Sequence, residues 1–210
     1  MIATSANSHS RYSRFSKRFL DVVASCIGLA SLAPLFVLLP VLIKLESDGP
    51  VIYKRGVIGK DDIPFSAYKF RTMVDDAETI LENDPELAEC FLECFKLKKD
   101  PRITKVGYFL RKYSLDEIPQ LINVLRGQMS LIGPRMMTNL ELERYGEHRD
   151  LVLSVKPGLS GLWQVSGRQD VSFERRVKLD VDYVVNWSLW KDITILYKTF
   201  RVVLNGEGAY

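Results

Sequence analysis

The longest apolar stretch of the chain runs from Val22 to Ile43 and contains no charged residue. At about 1.5 Å per residue, a straight helix of this length just crosses a hydrocarbon core of about 30 Å. Pro34 lies near the middle of the stretch and Pro40 follows it, and each removes a backbone donor and clashes with the preceding turn. The pattern therefore predicts a membrane segment with a sharp bend.

Charged residues on both sides of this stretch indicate how it meets a membrane. Because basic side chains favour the cytoplasmic side and occur at both ends, residues 15–46 are predicted to form a re-entrant helix-break-helix hairpin, with Ser31 satisfying one freed backbone group. A membrane-spanning anchor and a buried core helix stay open as alternatives, whereas the length of the stretch argues against a signal peptide. The flanking basic residues are Arg11, Arg14, Lys17 and Arg18 before the stretch, and Lys44, Lys54, Arg55 and Lys60 after it.

The rest of the chain alternates short apolar and polar segments, and residues 47–210 are predicted to form one catalytic head. The predicted elements are a turn at 47–50, a hairpin of strands at 51–53 and 65–70, a helical segment at 75–98 interrupted at Pro85, and a helix at 104–112. Residues 1–14 are predicted to be a flexible basic N-terminus. Asp21 follows Lys17 by four residues, which favours either an ion pair on the helix surface or a tether between hairpin and head.

The C-terminal segment has helical periodicity. Apolar residues recur opposite basic ones, which predicts an amphipathic helix that either covers the core or docks on an anionic membrane. Trp187 and Trp190 favour the membrane interface, since indole rings prefer that position. The apolar set is Ile193, Leu196, Tyr197, Phe200, Val203 and Leu204, and the basic set is Lys191, Lys198 and Arg201.

Composition and charge narrow the function classes. The chain has 210 residues, which is enough for one domain with a core, and its net charge is only +3. Because 29 basic residues are nearly balanced by 26 acidic ones, a dedicated nucleic-acid binder is not indicated. The three cysteines, with Cys90 and Cys94 one helical turn apart, are too few for a disulfide framework or a four-ligand zinc site, so we interpret them as packing thiols in a reducing compartment.

Adjacent acids occur at Asp116 and Glu117, just before an apolar helical segment. One interpretation is purely structural, because Ser114 and Glu117 fit a helix capping box. Pro119 suits a first helical turn and places the helix start near Ile118, which leaves both acids at the rim of the helix. Carboxylates at a positive helix end ionise readily, as a nucleophile or a magnesium ligand requires.

Cations that can neutralise phosphates lie near the acids in sequence. Arg111 and Lys112 precede them, Arg135 follows them in a Gly-Pro-Arg run, and Lys69 and Arg71 alternate along the second predicted strand. Carboxylates, magnesium and arginines together are typical of phosphoryl transfer. Taken singly, each of these cations is also compatible with a solvated surface position.

A glycine-rich run extends from Lys156 to Arg168 around a single tryptophan. Its glycines allow close approach of a ligand to the backbone, and Gln164 and Arg168 offer amide and guanidinium donors to a nucleotide. A tight structural loop explains the same composition. Both interpretations are open at this point.

These motifs, taken together and in order, resemble the monotopic bacterial sugar transferases, the polyprenyl-phosphate phosphoglycosyltransferases of exopolysaccharide and O-antigen assembly. The resemblance covers about residues 17–199. Its motifs are the basic start followed by Asp21, and the runs 68–71, 100–104, 114–125, 130–135, 156–168 and 186–188 with Asp192.

The resemblance implies an α+β, predominantly helical fold with a re-entrant membrane hairpin and a small head with amphipathic helices at the cytoplasmic face of the bacterial inner membrane. It implies that Asp116 attacks the sugar-linked phosphorus of a UDP-sugar, with Mg²⁺ as cofactor and Glu117 as metal ligand or base. UMP leaves, and polyprenyl (undecaprenyl) phosphate then accepts the phospho-sugar. The expected substrate ligands are Lys69, Arg71, Arg111, Arg135, Gln164 and Arg168.

Two other functions stay open: a membrane-bound phosphohydrolase, and a non-catalytic scaffold of the assembly complex. Homo-oligomerisation and contact with downstream glycosyltransferases are also open. The sequence departs from the usual family pattern at four positions, where Ala33, Val57, Asp62 and Met136 replace the common serine, arginine, glycine and proline. Arg55 is a candidate to compensate for the missing arginine.

Overall fold

The computed structural model describes residues 11–94, 97, 100–167 and 171–205, and this part of the chain is rich in helices. Two two-stranded sheets complete it, so the predicted α+β, mainly helical class is confirmed. Residues 1–10 of the predicted flexible N-terminus lie outside the described residues. The helices are α1 Arg11–Ser31, α2 Leu35–Glu46, α3 Ala77–Glu82, α4 Pro85–Cys94, α5 Lys105–Lys112, α6 Gln120–Leu125, α7 Asn139–Glu143, α8 Arg149–Leu153, α9 Phe173–Val185 and α10 Leu189–Asn205. The strands are β1 Ile52–Ile58, β2 Pro64–Phe70, β3 Ser130–Ile132 and β4 Gly158–Ser160.

The apolar N-terminal segment forms two helices that meet at a bend of 62°. The break falls at Pro34, whereas Pro40 is accommodated inside α2. The Ser31 hydroxyl donates to the carbonyl of Gly28, 3.1 Å away, but this carbonyl also accepts from the Leu32 backbone at 3.0 Å, so the predicted role of Ser31 in satisfying a freed group is not confirmed. Among the described helices, none taken singly has the length and apolar character to cross a bilayer, but the bent pair does when its two halves are counted together.

Asp21 attaches α1 to the head, and this confirms the tether interpretation. Its carboxylate is only 3% exposed and accepts hydrogen bonds from the Ser130 hydroxyl and the Leu131 backbone, each at 3.0 Å. The ammonium of Lys17 instead contacts Asp192 at 2.6 Å. The surface ion pair between Lys17 and Asp21 is therefore not the role of Asp21, because buried donors from β3 hold its carboxylate.

The β1–β2 hairpin matches the predicted pair of strands. The two strands are antiparallel, and Lys69 lies opposite Tyr53. Asp62, in the connection between them, has a φ of 64°, a left-handed conformation that glycine adopts without strain. This explains why a glycine suits the position, and the Asp62 carboxylate is held there by Arg149 at 2.7 Å.

The core forms between α1, α2, the hairpin, α6 and the second sheet, in which β3 and β4 run parallel. Met136, where the family often has a proline, is buried in this core. The predicted interruption at Pro85 is confirmed, because α3 ends at Glu82 and α4 begins at Pro85. Thr104 caps α5 by accepting a hydrogen bond from Gly107 at 2.9 Å, as its position before the helix favours.

The last helix, α10, is amphipathic as predicted. Asp192 and Ile195 are buried against the head, whereas Trp190, Tyr197 and Phe200 are exposed. The apolar residues of this exposed face therefore do not cover the core. Leu196 of α10 and Trp187, which precedes the helix, are half-buried and pack against the core.

Candidate active site

The acid pair lies on a short 3₁₀ turn, Leu115–Glu117, that runs into α6 through Pro119. Ser114 has a φ of 52° and makes no side-chain capping hydrogen bond, so the capping-box interpretation is wrong. The helix begins at Gln120, two residues later than predicted. Because α6 has only six residues, the positive charge near the acids comes mainly from side chains rather than from the helix end.

Lys69 reaches the acids from β2. Its ammonium lies 2.6 Å from Oε1 of Glu117 and 3.8 Å from Oδ2 of Asp116. Arg135, which follows β3, approaches the same Glu117 oxygen at 3.6 Å. Two of the predicted phosphate ligands are thus brought to the acid pair by different elements.

Asp116 is 7% exposed, and burial raises the pKa of its carboxyl to about 6. The charges of Lys69, Arg111 and Arg135 lower this pKa, whereas the charge of Glu117 raises it further. At pH 7 the ionised form of Asp116 therefore predominates. This is a carboxylate with little hydration and a substantial negative charge, which suits a nucleophile.

Arg111 is close enough to the acids for its charge to lower the pKa of Asp116. Its Nε donates to the Thr72 hydroxyl at 2.9 Å, and burial lowers the pKa of its guanidinium, while Asp116 raises this pKa. Since an arginine stays protonated in proteins, Arg111 contributes a fixed positive charge near Asp116. The site thus has three cations that can meet the oxygens of a diphosphate.

Arg71 is placed differently. Its guanidinium donates to the backbone carbonyls of Ser47 and Asp48 and to the Ser47 hydroxyl, just after α2. Its nearest carboxylate among the described ion pairs is Asp75, at 3.9 Å. The structure therefore assigns Arg71 contacts that hold the end of the hairpin to the head, and its role as a substrate ligand stays a prediction.

Glycines in the run from Lys156 to Arg168 allow close packing of backbone against backbone. A Cβ at Gly158 would lie 2.2 Å from the backbone nitrogen of Gly133, and one at Gly161 would lie 2.4 Å from the Gly133 oxygen. These glycines are thus required by the chain segment that leads to Arg135. Gln164 donates to the carbonyl of Leu159 at 3.3 Å, and its Oε1 is buried without a hydrogen bond among the described residues. Arg168 lies outside the described residues.

A buried network behind Arg135 was not found from the sequence. Asp180, on α9, accepts a hydrogen bond from the Tyr145 hydroxyl at 2.8 Å. Burial raises the pKa of Asp180 to about 7, whereas the charges of Arg176 and Arg135 lower it. The available signal was the Arg176–Asp180 pair, four residues apart within an otherwise amphipathic helix.

Arg55, the candidate replacement for the missing arginine at position 57, pairs with Glu141 at 2.9 Å. Glu141 also completes the capping box of α7 with Thr138. The spacing of Thr138 and Glu141 matches a capping box and was available from the sequence. The charges of Glu117 and Arg135 both act on the pKa of Arg55, so Arg55 belongs to the electrostatic surroundings of the acids.

The donor set fits a magnesium ion shared with a substrate rather than a protein-only cage. Within the described residues no group of three or more His, Cys, Asp or Glu side chains converges on a metal site. Mg²⁺ usually takes one or two carboxylates together with substrate phosphates, and Asp116 and Glu117 supply that number. Lys69 holds Glu117 at 2.6 Å, so an ion and this ammonium compete for the Glu117 oxygen.

The structure thus brings together a poorly hydrated carboxylate pair and the cations Lys69, Arg111 and Arg135, an arrangement whose charges can hold phosphate oxygens. The sequence profile of the family described as Bacterial sugar transferase matches residues 12–206. The chain belongs to this family, which confirms the resemblance.

Curated relatives agree with this assignment. The chain is 48% identical to the UDP-galactose-lipid carrier transferase of Erwinia amylovora, over 100% of this chain and 45% of the relative. It is 50% identical to the undecaprenyl-phosphate galactose phosphotransferase of Salmonella typhimurium, over 95% and 43%, and 44% identical to the exopolysaccharide production protein ExoY of Rhizobium meliloti, over 93% and 88%. The chain thus spans less than half of the first two proteins and most of ExoY.

Proposed function

We propose that the chain transfers a sugar 1-phosphate from a UDP-sugar to undecaprenyl phosphate or a related polyprenyl phosphate and releases UMP. The observation that carries the proposal is the buried Asp116 beside Glu117, with Lys69, Arg111 and Arg135 around them. Relatives named for the same transfer support it. The product is the lipid-linked first sugar of an exopolysaccharide, capsule or O-antigen.

In the proposed mechanism an Asp116 oxygen attacks the sugar-linked phosphorus, the bond from that phosphorus to the bridging oxygen breaks, and UMP departs with the electron pair. A phosphate oxygen of the lipid then attacks the aspartyl phosphorus and frees the Asp116 carboxylate, which gives ping-pong kinetics. Lys69, Arg111 and Arg135 hold the diphosphate oxygens. Glu117 serves as metal ligand or base, and magnesium, when bound, neutralises diphosphate charge.

The finer membrane placement is also a proposal: the bent pair enters and leaves the bilayer on one side, with the head at the cytoplasmic face of the inner membrane. Exposed apolar side chains on two neighbouring helices support it. They are Phe15, Phe19 and Ile27 on α1, and Trp190, Tyr197, Phe200 and Leu204 on α10. Such faces bury apolar area in the headgroup region, while Lys198 and Arg201 can meet anionic lipids.

UMP release from UDP-sugars in detergent tests the proposed function. UDP-galactose is the first donor to use, since two relatives carry galactose in their names. We expect UMP formation to require magnesium and multiple turnover to require polyprenyl phosphate. A phosphohydrolase turns over without the lipid, and a scaffold releases no UMP, so either result rejects the transferase.

Cysteine labelling tests the placement. In a cysteine-free background, single cysteines at positions 8 and 48 are expected to react equally with a membrane-impermeant maleimide in inside-out vesicles and to be protected in right-side-out vesicles. The reason is that both positions flank the bent pair and a re-entrant path returns to its own side. Labelling from opposite sides identifies a spanning anchor instead.

A further inference from the structure

The free edge of β2 is occupied by the side chain of one helical residue. Tyr68 donates its backbone N–H to Oδ1 of Asn123 at 3.0 Å, and Nδ2 of Asn123 donates to the carbonyl of Ser66 at 2.8 Å. Main-chain groups of alternate strand residues point to opposite edges, and those of residues 66 and 68 point away from β1. The Asn123 carboxamide thus bonds to β2 as a residue of a third strand does.

The orientation of this carboxamide is determined by the two backbone groups of β2, because exchanging its nitrogen and oxygen would place Oδ1 against the Ser66 carbonyl and Nδ2 against the Tyr68 N–H. In this orientation Nδ2 of Asn123 also donates to Oε1 of Gln128 at 2.9 Å. Asn123 is 0% exposed. In such an environment each lost hydrogen bond leaves a buried polar group unsatisfied.

Asn123 also joins the three segments that carry the site. Asn123 belongs to α6, which begins three residues after Glu117. Its side chain holds β2 next to Lys69. Its backbone carbonyl accepts a hydrogen bond from the Gln128 N–H at 3.1 Å, in the turn that leads to β3 and Arg135. The Lys69 ammonium must lie within hydrogen-bond distance of one acid and about 4 Å of the other. A shift of about 1 Å between β2 and α6 changes both distances, and misplacement of that size costs catalysis heavily.

We infer that Asn123 is a positioning residue that sets Lys69 against Asp116 and Glu117 by bonding to the open edge of β2. The inference rests on the proposed function, because its consequence is read in the transfer reaction. Asn123 does not touch substrate in this role. It acts through the register between α6 and β2.

The test compares Asn123→Ala with Val124→Ala, a truncation of the neighbouring buried residue that leaves all three carboxamide contacts intact. We expect Asn123→Ala to lower kcat by about 10- to 50-fold with KM changed by less than about threefold, because the donor still binds while Lys69 is misplaced. Val124→Ala is expected to lose thermal stability to a similar degree and to keep kcat within about threefold. Equal kcat values in the two variants contradict the inference.

A double-mutant cycle separates positioning from general weakening of the fold. In a Lys69→Met background, Asn123→Ala is expected to lower the residual activity by no more than about threefold, since the ammonium it positions is already gone. A full multiplicative loss in that background assigns Asn123 a structural role and overturns the inference. If Asn123→Ala does not fold, Gln128→Ala replaces it in the same cycle. This variant removes the Gln128 contact but keeps both bonds from Asn123 to β2, and its expected loss in kcat is about two- to fivefold.

The outcome for the wild type separates the inference from the proposed function. If the wild type releases no UMP, the proposed function fails. If the wild type is active and Asn123→Ala does not change its kcat, only the inference about Asn123 is rejected.

Discussion

Replacement of Asp116 by asparagine is expected to lower lipid-dependent UMP release by at least about 10³-fold, because the amide oxygen cannot form the covalent intermediate. The side chain keeps its shape, so donor binding should persist. The measurement is UMP release in detergent with magnesium and polyprenyl phosphate at saturating concentrations. Asp182→Asn is the matched control, because Asp182 is a half-exposed carboxylate on α9 that pairs with Lys191, and this variant is expected to keep wild-type activity.

The Asp116→Asn variant should also be more stable than the wild type at neutral pH. Burial raises the pKa of Asp116 from 3.8 to about 6, so the folded protein holds this proton more tightly than the unfolded chain does. The raised pKa of Asp116 therefore adds to the free energy of unfolding, fully below pH 3.8, and this stabilisation is lost as the pH rises through about 6. At pH 7.5 we expect Asp116→Asn to gain about 1–3 kcal/mol, and less at pH 4.5, in thermal unfolding experiments.

Trapping identifies the residue that carries the intermediate. With a UDP-sugar labelled at the sugar-linked phosphorus and no lipid acceptor, the wild type should retain label on the peptide that contains Asp116. Asp116→Asn should retain none. Product formation at the wild-type rate without labelled protein removes the assigned nucleophile, and label on Glu117 moves the role to its neighbour.

Lys69→Met is expected to lower kcat by about 10²-fold and to move the acid limb of the pH–rate profile upward. In the wild type this limb should lie near pH 6, because ionisation of Asp116 limits the reaction there. The Lys69 charge lowers the pKa of Asp116, so its removal makes Asp116 harder to ionise. The measurements are kcat and, between pH 5 and 9, kcat/KM, because this ratio reports ionisation of the free enzyme, and methionine retains most of the apolar stem.

Lys54→Met is the control for this experiment. Lys54 lies on β1 of the same hairpin, opposite Tyr68, and its side chain is exposed. We expect its loss to leave both kcat and the acid limb unchanged. An unshifted limb in Lys69→Met would show that the ion pair between β2 and the acid turn does not govern Asp116.

The sequence alone was sufficient for features that depend on neighbours along the chain. The uncharged stretch and Pro34 predicted a bent apolar segment, and a bend of 62° lies at that proline. Pro85 predicted the interruption between α3 and α4, and Pro119 predicted a start of α6 near Ile118, two residues before the observed start at Gln120. The acid pair was also recognisable from order and spacing. In each case local backbone geometry decides the outcome.

Contacts between segments distant in sequence determined the roles of the individual side chains and glycines. Lys69 and Arg71 are equivalent by spacing, but carbonyls more than 20 residues away, at Ser47 and Asp48, hold Arg71 and leave Lys69 for the acids. Gly158 was a candidate for ligand approach, yet the backbone of Gly133 requires it. Asn123 had no visible role until β2 was placed beside it. Which acceptor a side chain finds depends on what folding brings within about 3 Å, and linear spacing carries no such distance.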